Sequence, residues 1–177
     1  MKYKNSIALI GFMGTGKTEI GKALATYLGK NYSFIETDQI ITEHFGKSIP
    51  RIFSEEGEDK FRKYENIVCK KLSRLKKVIV SCGGGVILNE ENMNNLRQNC
   101  VIILLKATLE ELYKRIMDNG KYKRPLLDKE DPKEELEKIY NFRKSYYEKF
   151  ADIIIDTTGK PVNDIVREII TKTFRKT

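Results

Sequence analysis

Gly11-Phe-Met-Gly-Thr-Gly-Lys-Thr18 meets every fixed position of the phosphate-binding pattern G-x-x-x-x-G-K-[ST]. Its context gives the pattern physical meaning. Ser6-Ile-Ala-Leu-Ile10, just before it, is a short apolar run that reads as a buried strand. Just after it, Ile20, Leu24 and Leu28 recur at helical spacing. The glycines therefore occupy a strand-to-helix turn, where Gly11, Gly14 and Gly16 let successive N–H groups point inward. Those N–H groups, together with the helix N-terminus, form a nest for phosphate oxygens. In such a nest Lys17 reaches the β- and γ-phosphates, and the Thr18 hydroxyl is placed to ligate Mg2+. The stretch predicts a bound nucleoside triphosphate and leaves the phosphate acceptor open.

Outward from this loop, strand-like runs recur at Ser33–Glu36, Val78–Ser81, Cys100–Leu105 and Ala151–Asp156, with helical patterning between them. Most are continuously apolar, as expected of parallel strands covered on both faces. Leu136, Tyr140, Tyr147 and Phe150 share a helical face, and Val162, Ile165, Val166, Ile169 and Ile170 mark a last amphipathic helix. Two segments break the alternation. Residues 38–75 carry helical patterning without a strand, too much for one crossover, and predict an inserted helical subdomain. Residues 118–132 are polar, basic and bounded by glycine and proline, and predict a functional loop or lid.

The 177 residues suit a single domain spanning 1–177, and 40% hydrophobic with 33% charged residues is ordinary for a globular protein. No apolar run approaches the roughly 20 residues that span a bilayer, and the N-terminus does not resemble a signal peptide, so a cytoplasmic location is expected. Cys69, Cys82 and Cys100 are odd in number and lack C-x-x-C spacing, which predicts reduced, buried thiols. The net charge is +8, but the lysines are scattered and no arginine-rich arm accompanies them. A basic surface that steers anionic small molecules explains the charge better than nucleic-acid binding does.

Glu36 and Asp38 close the second strand, where ligands of open α/β sheets bind. At a spacing of two, one acid can face Mg2+ and the other a substrate hydroxyl, although Asp38 could instead cap the following helix. Three successive glycines, Gly83, Gly84 and Gly85, follow the third strand and suggest a ligand approaching bare backbone N–H groups. Arg62 has Glu65 three residues on, able to hold its guanidinium. Arg143 interrupts the apolar stripe of its helix, and an inward-facing arginine needs an anionic partner. Arg124 precedes a proline in the lid candidate. Asp156 ends another apolar run and competes with Glu36 as the metal acid; His44 reads as an ordinary helical residue.

Taken together, Gly11–Thr18, Glu36-Thr-Asp38, Ser48-Ile-Pro-Arg-Ile-Phe53, Phe61-Arg62 with Glu65, Gly83-Gly-Gly85, Arg124-Pro-Leu-Leu127 and Arg143 with Tyr146 or Tyr147 resemble the shikimate kinase family over nearly the whole chain. The resemblance implies a three-layer α/β/α P-loop kinase fold. Its five parallel strands would run in order 2-3-1-4-5, with a helical substrate-binding insertion and a mobile lid. It further implies transfer of the ATP γ-phosphoryl group to the 3-hydroxyl of shikimate, with Mg2+ as cofactor. ATP and shikimate would be the partners of a monomer that needs neither nucleic acid nor membrane. By the same resemblance, Asp38, Lys17 and Arg124 are catalytic. Asp38, Arg62, Gly84, Gly85, Arg143, Phe53 and Phe61 bind shikimate. Gly14, Thr15, Gly16, Lys17, Thr18, Glu19, Arg115, Arg124 and Lys160 bind the nucleotide, and Thr18 and Glu36 serve the metal. Glu36 departs from the aspartate more usual in the family and reaches one methylene further.

Overall fold

The structure, a computed structural model, describes residues 4–118 and 131–174. Strands β1 (Ser6–Ile10), β2 (Ser33–Glu36), β3 (Val78–Ser81), β4 (Cys100–Lys106) and β5 (Ile153–Asp156) form one parallel sheet, ordered β2-β3-β1-β4-β5. This is the order expected from the sequence. In register, Ile7 lies between Ile79 of β3 and Val101 of β4.

Alternate residues of β1 enter opposite cores, because successive side chains of a strand point to opposite faces. Ile7 and Leu9 pack with α1 (Lys17–Leu28) and α8 (Val162–Phe174), through Ile20, Leu24, Ile165 and Ile169. Ala8 and Ile10 face the second core. It is filled from α2 (Thr37–Phe45), α3 (Ile49–Glu56), α4 (Glu58–Leu72), α5 (Glu90–Arg97), α6 (Leu109–Asp118) and α7 (Pro132–Phe150). All five residues of β1 are buried, and burying each large aliphatic side chain contributes roughly 1.5–3 kcal/mol. The strand that feeds the phosphate loop is thus among the least able to fray. The edge strands β2 and β5 are only partly covered, whereas burial on both faces was expected of most runs.

Close packing also fixes α1 against the sheet. A Cβ on Gly21 would lie 2.5 Å from the Phe34 ring of β2, so glycine at this point lets the helix sit directly on the strand. Across the second core, Asn92 is fully buried. It donates to the Val86 carbonyl at 3.3 Å and accepts from Asn66 of α4 at 3.1 Å, tying that helix to the turn after β3.

Three helices, α2 to α4, fill the stretch predicted as a helical insertion. The expected lid over 118–132, with Arg124, lies almost wholly outside the described residues. Among the described residues, no helix is long and apolar enough to cross a membrane. One local expectation changes. Asp38 does not cap a helix that begins at Gln39; α2 begins at Thr37, the residue before it is Glu36, and Asp38 sits inside the first turn. The chain turns directly from strand to helix there because the buried Thr37 hydroxyl accepts from the Gly83 N–H at 2.8 Å.

Candidate active site

A cleft of about 980 Å3 runs along the carboxyl ends of the strands, from the glycine loop after β1 to the helices α3, α4 and α7. The loop lines one end. Gly14 and Gly16 have φ of +83° and +85°, in the left-handed region that favours glycine. Gly16 precedes α1 and offers no side-chain cap, so the helix N-terminus keeps its N–H groups for an anion. Lys17 Nζ donates to the carbonyls of Gly11 (2.8 Å) and Phe12 (3.0 Å), folding its charge back over the loop. Thr15 is buried, and its hydroxyl donates to Phe12 O at 2.8 Å.

Thr18 and Glu36 meet beside this loop, with the Thr18 hydroxyl donating to Glu36 Oε1 at 2.5 Å. The pair brings two hard oxygen donors together. Among the described residues there is no group of three or more His, Cys, Asp or Glu able to hold a metal. A sparse oxygen set suits Mg2+, which keeps several waters and shares phosphate oxygens; it does not suit a metal that needs a full protein cage. Asp156 does not compete. It sits at the end of edge strand β5, accepts from the Thr158 N–H at 2.9 Å and is absent from the cleft lining.

Arg115 and Lys160 border the same end. Arg115 donates to Glu111 Oε1 (2.8 Å), Thr157 O (2.8 Å) and Gly14 O (3.4 Å), so it joins α6, the segment after β5 and the loop itself. Lys160 pairs with Glu168 at 2.9 Å. Glu19, in the first turn of α1, is exposed at the rim.

The other end of the cleft holds the acids, arginines and glycines that lie far apart in sequence. Asp38 faces the Gly83 backbone so closely that a Cβ there would overlap its Oδ1 and lie 3.3 Å from Glu65 Oε1. Burial raises the Asp38 carboxyl above its ordinary value, opposed chiefly by the charge of Lys17. Arg62 Nη1 donates to Glu65 Oε2 (2.5 Å) and its Nη2 to Glu58 Oε1 (2.7 Å), while the guanidinium lies where a side chain on Gly85 would be. Glu65 is buried, which pushes its carboxyl up to about 7 against the opposing pull of Arg62.

Arg143 is buried, as its place in the α7 stripe predicts. Its Nη1 lies 3.4 Å from Gly84 O, and its Nε has no hydrogen-bond partner among the described residues. Tyr147, one turn on, donates its phenol to the same carbonyl at 2.6 Å. The rings of Phe53 and Phe61 stand 4.8 Å apart and wall the cleft beside Arg62. Cys82 also borders the cleft, but it is buried, and burial raises its thiol well above the ordinary range. It is a poor nucleophile. Cys69 and Cys100 are buried and free as well.

Most residues singled out in the sequence therefore line one cleft: the loop, Glu36, Asp38, Phe53, Phe61, Arg62, Gly84, Gly85, Arg115, Arg143 and Lys160. Arg124 lies outside the described residues. Bare N–H groups do not account for all three glycines, because the Gly83 N–H is spent on Thr37. The closeness of Asp38 and Arg62 accounts for Gly83 and Gly85 instead. In the sequence Glu65 was named only as a companion of Arg62, and Tyr147 as a member of the apolar stripe and a companion of Arg143. The stripe accounts for the burial of Tyr147, whereas the burial of Glu65 in the cleft wall has no local signal. Chemically, the cleft places an anion nest and a lysine at one end, the half-buried Asp38 carboxylate in the middle and paired guanidinium groups at the other end.

Comparisons with known proteins agree with this arrangement. The family model described as shikimate kinase matches residues 13–173. A shikimate kinase of Caldanaerobacter subterraneus subsp. tengcongensis is 42% identical over 165 residues, covering 93% of this chain and 94% of its own. Among solved structures, the shikimate kinase from Acinetobacter baumannii in complex with shikimate superposes with a TM-score of 0.88 at 31% identity. The match covers 96% of this chain and 92% of that one. The shikimate kinase from Aquifex aeolicus gives a TM-score of 0.78 at 36% identity, covering 93% and 94% of the two chains.

Proposed function

Since the chain belongs to the shikimate kinase family, we propose that its cleft transfers the γ-phosphoryl group of ATP to the 3-hydroxyl of shikimate, giving shikimate 3-phosphate and ADP. The observation that carries this assignment is the seating of Arg62 and Arg143 on adjacent glycines, Gly85 and Gly84, at the end of the cleft away from the phosphate loop. Two guanidinium groups matched to one carboxylate give the forked recognition that lysine cannot. The orphaned Nε of Arg143 supports a missing anionic partner there.

In this proposal Arg62 and Arg143 hold the shikimate carboxylate, with Gly84 and Gly85 offering backbone contacts and Phe53 and Phe61 packing on the ring. That grip places the 3-hydroxyl near Asp38. The hydroxyl oxygen forms its new bond to the γ-phosphorus as the bond to the bridging oxygen of ADP breaks, and the hydroxyl proton passes to the Asp38 carboxylate. The raised pKa of Asp38, due to burial, makes it a better proton acceptor than an exposed aspartate. Gly14, Thr15, Gly16 and the start of α1, with Glu19 at the rim, cradle the phosphates. Lys17 moves from the loop carbonyls to the β- and γ-phosphates. Arg115 and Lys160 border the nucleotide's base. The resemblance alone assigns Arg124 to the charge on the transferring group.

Thr18 and Glu36, whose side-chain oxygens meet beside the phosphate loop, would hold Mg2+. The ion supplies charge neutralisation to the phosphates.

ADP release coupled to NADH oxidation tests the proposal, with shikimate and gluconate offered in parallel. Turnover with shikimate alone is expected. Absence of shikimate-dependent ADP release would sink it.

A further inference from the structure

Gly84 and Gly85 share the central peptide of a turn closed by the Val86 N–H donating to Gly83 O at 3.1 Å, a bond that does not fix the plane of that peptide. With glycine on both sides, no Cβ resists rotation of the peptide plane, and its carbonyl and N–H could exchange directions at low cost. The two directions are chemically opposite at this place. A carbonyl turned into the cleft would present negative charge to an incoming carboxylate, whereas an N–H would donate to it.

The structure shows one orientation and one clear restraint. Tyr147 is 4% exposed, and its phenol donates to Gly84 O at 2.6 Å, from one turn beyond Arg143 on α7. Arg143 Nη1 reaches the same carbonyl only at 3.4 Å, too long to hold it firmly. Among the described residues no peptide bond is cis. In a trans peptide the carbonyl and N–H point in opposite directions. With Gly84 O drawn toward α7, the Gly85 N–H points away from Tyr147, and Gly85 itself abuts the Arg62 guanidinium.

We infer that Tyr147 is a positioning residue whose phenol locks the Gly84–Gly85 peptide with its carbonyl turned to Tyr147 and Arg143, which leaves its N–H to meet the substrate carboxylate. The inference rests on the function proposed above, and it adds a determinant of substrate affinity that never touches the substrate. It also explains a tyrosine at a place where the apolar stripe needs only a ring.

Tyr147→Phe keeps the ring and removes the donor. With loss of a single hydrogen bond, the shikimate KM is expected to rise by about five- to tenfold. The ATP KM should not change, and the neighbouring exposed residue gives the control Tyr146→Phe, expected to behave as wild type. A fall in affinity for both substrates alike, with a lower Tm, would mark a merely structural role and overturn the inference. So would an unchanged shikimate KM. NMR of the free protein separates this inference from the function beneath it. The Gly84 and Gly85 amide resonances should be single and sharp in wild type, but broadened or doubled in Tyr147→Phe, whatever the enzyme turns over. Identical resonances in the two proteins overturn the lock even if shikimate is the substrate.

Discussion

Arg62 Nη1 donates to Glu65 Oε2 at 2.5 Å within one turn of α4, and the carboxylate is buried while the guanidinium reaches the cleft. The buried partner therefore sets where the exposed one points. Glu65→Gln keeps the shape and removes the charge, leaving Arg62 with Glu58 at the surface. The shikimate KM is expected to rise about tenfold with the ATP KM unchanged, as befits a lost charge-assisted hydrogen bond. Steady-state kinetics with each substrate varied in turn checks this.

The same residue gives stability a definite pH dependence. Its folded pKa of about 7 lies above the ordinary 4.5. The folded state thus binds the proton more tightly than the unfolded chain. This contribution to stability is fully present below about 4.5 and is lost as pH rises through about 7. Thermal melting across that window should show wild type losing stability relative to Glu65→Gln as pH rises. Parallel curves for the two proteins would refute the assignment.

Arg143→Ala should raise the shikimate KM far more than the ATP KM, because its guanidinium lies at the end of the cleft remote from the phosphate loop. A fall in shikimate affinity of about 2–5 kcal/mol is expected for removing one partner of a buried charged contact. An equal rise in both constants would remove Arg143 from the carboxylate. Arg143→Lys should recover little, since an ammonium cannot form the fork.

Gly83→Ala tests the first glycine of the turn. The added methyl would overlap Asp38 Oδ1. The carboxylate must therefore swing away, and kcat should fall by about 10²-fold while melting temperature changes little. Gel filtration and melting establish the fold; single-turnover rates report the chemistry.

Glu36→Gln should raise the Mg2+ concentration for half-maximal rate by about tenfold, in the range found when a partner outside the metal's immediate ligands is altered. Titrating Mg2+ after EDTA treatment measures it directly. Thr18→Ala should do at least as much, because it removes the hydroxyl itself.

The sheet was legible because its strands are short apolar runs, and a buried parallel strand needs no other signal. Gly11–Thr18 was legible because phosphate recognition by backbone demands fixed glycine positions. Boundaries at the cleft were harder. The turn from Glu36 into a helix at Thr37 depends on a hydrogen bond from Gly83, which only the fold brings near. In the sequence, Arg62 and Glu65 could equally be a surface pair; α2, α7 and the glycine turn make Glu65 a buried acid. Arg143 was found by its misfit in an apolar stripe. Tyr147 fits that same stripe, so nothing local marked its hydroxyl.

The glycine turn also bears on how this protein could escape an inhibitor. Gly83 and Gly85 are crowded by Asp38 and Arg62, so a side chain at either place would displace a residue proposed for catalysis or recognition. A compound that hydrogen-bonds to this backbone takes hold of atoms that point mutation cannot easily change. Resistance would have to arise from residues around the turn, at a cost to the native substrate. The buried, protonated thiol of Cys82 gives an electrophilic warhead little to react with, so reversible ligands are the better chemistry for this cleft.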